Sequence, residues 1–151
     1  MLPILNLTKG RDCMKKAWIT TAIILILVVF CVSLWQYTAF KNDKLEVMCK
    51  SSVTAAFAHF EEYEADKDEA DYIAGVAEFR TYMTAYLCLE DESNTDYIWC
   101  NILYGDMILN PEKVKAHIPE LVDALEYLAE DYDHPNGFNL INALNNQLKT
   151  E

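Results

Sequence analysis

AWITTAIILILVVFCVSLWQYTAF, residues 17–40, runs for twenty-four positions without a charged side chain. About 20 apolar residues, rising roughly 1.5 Å each as a helix, are enough to cross the hydrocarbon core of a bilayer. Trp18 stands at one end of the run, and Trp35 and Tyr37 stand at the other. Half-polar aromatic rings settle at headgroup level. From Trp18 to Trp35 is about 26 Å of helix, close to one hydrocarbon thickness. The run is therefore expected to be a transmembrane signal-anchor with Trp18, Trp35 and Tyr37 at the membrane interface.

A core helix and a cleaved signal peptide are the rival readings. A core helix of this length would carry a polar stripe, yet only Thr20, Thr21, Ser33, Gln36 and Thr38 interrupt the run. A cleaved signal peptide needs small residues before the cut. Tyr37-Thr38-Ala39 puts a tyrosine where a small side chain is wanted, whereas Cys31-Val32-Ser33 fits and would leave a mature chain starting at Leu34. Bulky Phe30 before Cys31 argues against lipidation there. The uncleaved anchor is the better fit.

Ahead of the span lies a short basic tail, residues 1–16, with Lys9, Arg11, Lys15 and Lys16 against Asp12. Lys41, Lys44 and Lys50 follow the span. Positive charge favours the cytoplasmic side, so the expectation is N-inside in a cell membrane, with the carboxyl-terminal domain outside. Met14-Lys15-Lys16, directly before the apolar run, also reads as a bacterial-type start, which leaves Met1 and Met14 as alternative first residues.

Residues 41–151 suit one domain. They hold 8 basic and 23 acidic side chains, a net charge of −15. No basic patch is present to replace phosphate counterions, which argues against nucleic acid as a partner. Such a surface attracts cations and basic partners, and it also simply keeps a domain soluble. Cys13, Cys31, Cys49, Cys88 and Cys100 are scattered without a CxxC, which points away from a zinc site or a disulfide framework. One bridge between Cys88 and Cys100 is conceivable across a turn. Buried thiols are the simpler reading.

Apolar residues recur at helical spacing throughout the domain. Leu45, Cys49, Val53, Ala56, Phe60 and Tyr63 make one face, and residues 41–65 are a candidate stalk continuing the anchor. Asp66 or Asp68 is placed to cap a second helix, marked by Tyr72, Val76, Phe79, Met83 and Tyr86 and ending near Glu90–Glu92. Ser93, Asn94 or Thr95 caps a third, about Asp96 to Leu109, uncharged from Tyr97 to Gly105 and apolar on every side. That pattern predicts the centre of the packing.

Asn110-Pro111-Glu112 reads as a helix start with a side-chain cap. Val114, Ile118, Leu121, Leu125, Leu128 and Tyr132 follow in phase, with a kink or restart at Pro119. Residues 133–137 (DHPNG) read as a turn, and Phe138, Ile141, Leu144 and Leu148 mark a last short helix. Its asparagines, Asn139, Asn142, Asn145 and Asn146, are poor helix formers, so packing must hold it. The expected class is all-α: a transmembrane helix, then a bundle or array of four to six helices.

Chemistry is sparse in the sequence. His59, His117 and His134 lack the paired ligands of helical metal sites, since Ala56 and Val114 precede the first two by three and Asp131 precedes the third beside a proline turn. An EF-hand starting at Asp66 fails, with Ala70, Asp71 and Ala77 where a ligand, the glycine and the bidentate glutamate belong. There is no GxSxG and no phosphate-cradling loop, for Gly10, Gly75, Gly105 and Gly137 stand alone. No catalytic residue, cofactor or metal is expected.

Within the span there is no GxxxG, and Ala17-xxx-Thr21 is a weak small-xxx-small match. Intramembrane charge, the mark of transport, is missing. Tyr72, Tyr82, Tyr86, Trp99 and Tyr104 are the candidate interaction surface, because aromatic residues with a polar tip favour interfaces as well as core edges. The function so implied is a non-enzymatic acidic domain held at a bilayer and making protein contact. One alternative is a membrane-held immunity or inhibitor protein neutralising a basic partner. The other is a ligand sensor or enzyme with a buried carboxylate or His117 in a cavity.

Overall fold

A computed structural model describes residues 7–90 and 93–150, with side chains described from Trp18 onward. The described chain is all-helical: α1 (Leu7–Asp66), α2 (Glu69–Leu89), α3 (Thr95–Leu109), α4 (Pro111–Ala116), α5 (Ile118–Glu130) and α6 (Pro135–Thr150). It divides into two compact units, Met1–Lys41 and Asn42–Glu151.

In the first unit, the stretch of α1 from Trp18 contains an 18-residue window of mean hydropathy 2.5, none of it covered by protein. By length and composition this helix is able to cross a membrane. The core helix of a water-soluble domain would be covered instead.

In the second unit the core is continuous. The carboxyl-terminal part of α1 buries Cys49, Val53, Ala56, Phe60 and Tyr63, and α2 buries Tyr72, Val76, Phe79, Tyr82, Met83 and Tyr86. Their 3- and 4-residue spacing places them on one helix face. Between the two helices, Lys67 adopts φ 61°, a left-handed cap that a residue other than glycine seldom takes. Its N–H donates to Tyr63 O at 2.9 Å and its ammonium lies 5.3 Å from the Tyr63 ring centroid. Asp68 then caps α2, its Oδ1 accepting from the Ala70 N–H at 2.9 Å. Asn94 caps α3 in the same way, accepting from the Asp96 N–H at 2.8 Å.

Three expectations need correction here. α3 packs against α2, α4 and α6 as a central helix should, but it is not enclosed on every side: it buries only Cys100, Leu103 and Met107, and it leaves Ile98, Ile108 and Leu109 exposed. The most extensive helix pair is α5 against α6. Asn110 is the N-cap residue of α4 but makes no side-chain cap bond; its Nδ2 donates backward to Asp106 Oδ1 at 2.9 Å. Residues 135–137 belong to α6 rather than to a turn. Pro135 opens that helix with its φ preset, and His134 caps it, Nδ1 accepting from the Asn136 N–H at 3.2 Å.

Gly137 sits where α6 meets α5. A Cβ there would lie 2.6 Å from Leu128 Cγ and 3.0 Å from the Ala124 carbonyl. Overpacking of about 1–3 kcal/mol competes with a helix-propensity gain of about 1 kcal/mol. The steric effect is larger because Leu128 is itself fully buried. Gly137→Ala is therefore expected to lower stability by up to about 2 kcal/mol, read as an earlier midpoint in urea.

Candidate interaction surface and a histidine–carboxylate cluster

The tyrosines chosen from sequence divide by burial. Tyr72, Tyr82 and Tyr86 are buried, so they line the core and not a surface. Each hydroxyl has a fixed acceptor. Tyr72 donates to Met107 O at 3.1 Å, Tyr82 to Tyr132 O at 2.8 Å, and Tyr86 to Asp133 Oδ1 at 2.9 Å. The phenol supplies both apolar packing and one long-range hydrogen bond that a phenylalanine would lack. The Tyr86 ring also packs on Phe138 with centroids 5.5 Å apart. Burial is the main force pushing all three hydroxyls up: Tyr72 to about 12, and Tyr82 and Tyr86 well above their ordinary value.

Trp99 and Tyr104 are half-buried against the core. The Trp99 carbonyl accepts from Asn145 Nδ2 at 2.9 Å, which places one of the poor helix formers of α6 where packing and a hydrogen bond hold it. Trp18, Trp35 and Tyr37 are exposed, Trp18 at 77 %. Cys31, Cys49, Cys88 and Cys100 are free thiols, with Cys100 buried and Cys88 exposed.

The side chains that do face outward are ones the aromatic criterion passed over: Ile73 on α2 (66 % exposed), and Ile98, Ile108 (54 %) and Leu109 (79 %) on α3. Ile73 follows Tyr72 and Ile108 follows Met107, the two residues joined by the Tyr72 hydroxyl bond. A lysine clamp fixes the adjoining edge. Lys115 reaches Glu69 at 2.8 Å and Glu112 at 2.9 Å, with its ammonium 5.1 Å from the Tyr72 ring centroid. Hydrogen bonds to Glu112 and then Glu69 push the Lys115 ammonium well above its usual value. The sequence did carry a signal for this surface. Uncharged from Tyr97 to Gly105 and with apolar side chains on every side, α3 has more of them than one small core can cover.

A second grouping joins α1 to α2. His59 Nδ1 lies 3.6 Å from Glu62 Oε2 and 3.5 Å from Asp71 Oδ1. Searching backward from His59 meets Ala56, but Glu62 stands three residues ahead, on the same helix face. Sequence reasoning missed this half of the cluster, and Asp71 enters only through the turn at Lys67. Among the described residues the buried polar side chains are Ser52 and Asn145, and no carboxylate is buried.

No protein-family model, curated protein or solved structure matches the chain.

Proposed function

We infer that the chain is a single-pass membrane protein, anchored by residues 17–40, whose acidic helical domain makes non-enzymatic contact with another protein at the membrane surface. The observation carrying this reading is the helix stretch that is uncharged, strongly apolar and uncovered by protein. Water is a poor solvent for it, and lipid is a good one. The exposed Ile73, Ile108 and Leu109, standing out from a domain of net charge −15, support a contact surface with an apolar centre and an acidic surround. The basic amino-terminal tail supports N-inside topology with the domain outside.

The test is recovery from detergent-solubilised membranes of the intact chain beside the pair Ile108→Glu and Leu109→Glu. The expected result is a partner retained by the native chain and lost by the variant. Recovery of nothing above background with the native chain overturns the contact role. A reporter fused at the carboxyl terminus reads topology independently, and activity on the cytoplasmic side would overturn the orientation.

The acidic surplus favours a second reading, an immunity or inhibitor protein that neutralises a basic partner. It predicts binding that weakens steeply with salt, whereas an apolar contact holds or tightens.

A further inference from the structure

We propose that His59, Glu62 and Asp71 form a binding site for one divalent transition-metal cation of the zinc class. The three ligand atoms lie within 4.8 Å of one another. Two of the residues sit one helical turn apart on α1, and the third is in the first turn of α2. The ion would thus tie together the two arms of the α1–α2 hairpin.

The distances favour ligands over hydrogen-bond partners. Separations of 3.5 and 3.6 Å from Nδ1 exceed a good N–H···O bond of about 2.9 Å. They match the ligand-to-ligand edge of a tetrahedron, about 3.4 Å when each metal bond is about 2.1 Å. Nδ1 itself is buried and has no hydrogen-bond partner, although the His59 side chain as a whole is 35 % exposed. A nitrogen screened from water and left without a bond is costly, and a cation between it and the two carboxylates accepts its lone pair.

Chemistry selects the ion. Imidazole with two carboxylates suits zinc and its neighbours, while calcium wants six to eight oxygens and magnesium retains most of its water. Glu62 faces solvent, so water can complete the coordination. The surrounding acidic run from Glu61 to Asp71 raises the local concentration of any cation.

The experiment uses the full chain in detergent micelles, stripped with a chelator and then titrated with zinc at neutral pH against a chromogenic competitor. Bound metal and the thermal unfolding midpoint are both read. Native protein is expected to bind one tight equivalent and to unfold at a higher temperature with zinc present. Asp71→Asn and Glu62→Gln keep side-chain shape and are expected to weaken binding at least tenfold, as is His59→Ala. Glu64→Gln, in the same acidic run but outside the cluster, is expected to leave the affinity unchanged. Affinity that is equal in the native chain and Asp71→Asn overturns the site, and so does a native chain that takes up no zinc. The cluster would then be a side-chain contact between the two helices and nothing more.

Discussion

Residues 42–151 are expected to unfold cooperatively as pH rises from neutral to about 11. Tyr72, Tyr82 and Tyr86 are buried as neutral phenols, and Cys49 and Cys100 are buried as neutral thiols. Burial raises every one of these groups above its unfolded value, Tyr72 and Cys49 both to about 12. Below pH 8 both the folded and the unfolded chain hold these protons, and stability is at its full value. Above the ordinary thiol pKa, and then above the ordinary tyrosine pKa near 10, the unfolded chain releases protons that the folded chain keeps. Stability therefore falls with rising pH, by about 1.4 kcal/mol per unit for each group in its window. At pH 11 the five together remove on the order of 9 kcal/mol, comparable with the whole stability of a domain this size.

Circular dichroism and the tyrosinate absorption band, followed on one sample, check this result. The three buried tyrosines should ionise in step with loss of helix. Ionisation of all tyrosines near pH 10 with the helical signal intact would show that the hydroxyls are not enclosed.

Arginine at two positions of one span face, Ile24→Arg with Leu27→Arg, is expected to abolish membrane retention. The native run contains twelve Leu, Ile, Val and Phe residues, worth together about −4 to −7 kcal/mol on the insertion scale. Each central arginine adds about 2.5–3.5 kcal/mol and removes one favourable residue. The sign of insertion reverses. Alkaline carbonate washing of vesicles measures it, with native chain in the pellet and the double variant in the supernatant or degraded. Native chain washed into the supernatant, or mature protein starting near Leu34, would refute the anchor. The two predictions also separate the two units. The same wash is expected to unfold residues 42–151 and still to leave the native chain embedded, because a lipid-inserted span needs no help from the domain.

Much of the helical architecture was legible in residue spacing. In the series Leu45–Cys49–Val53–Ala56–Phe60–Tyr63 all but the half-buried Leu45 are buried, as are Val76, Phe79 and Met83, and Phe138, Ile141, Leu144 and Leu148. Periodicity works there because a single apolar face leaves only one way to turn the helix. It gave no guidance for α3, whose apolar residues surround the axis, so the choice of Cys100, Leu103 and Met107 as the inward face came from the shape that α2, α4 and α6 offer it. Side-chain chemistry was equally mute on the tyrosines. A phenol is at home on a rim or in a core with its hydroxyl satisfied, and the carbonyls of Met107 and Tyr132 and the carboxylate of Asp133 are 35, 50 and 47 residues away in the chain.

The amino-acid sequence by itself determined that one uncharged stretch is suited to lipid, that the domain after it is acidic and helical, and where most helices start. Those properties depend on neighbours within a few residues: spacing, capping and local charge. Tertiary structure alone decided which aromatics are enclosed, which isoleucines face water, and that Asp71 meets His59 and Glu62. Each of those outcomes depends on how separate helices pack, a property of shape that no local pattern encodes.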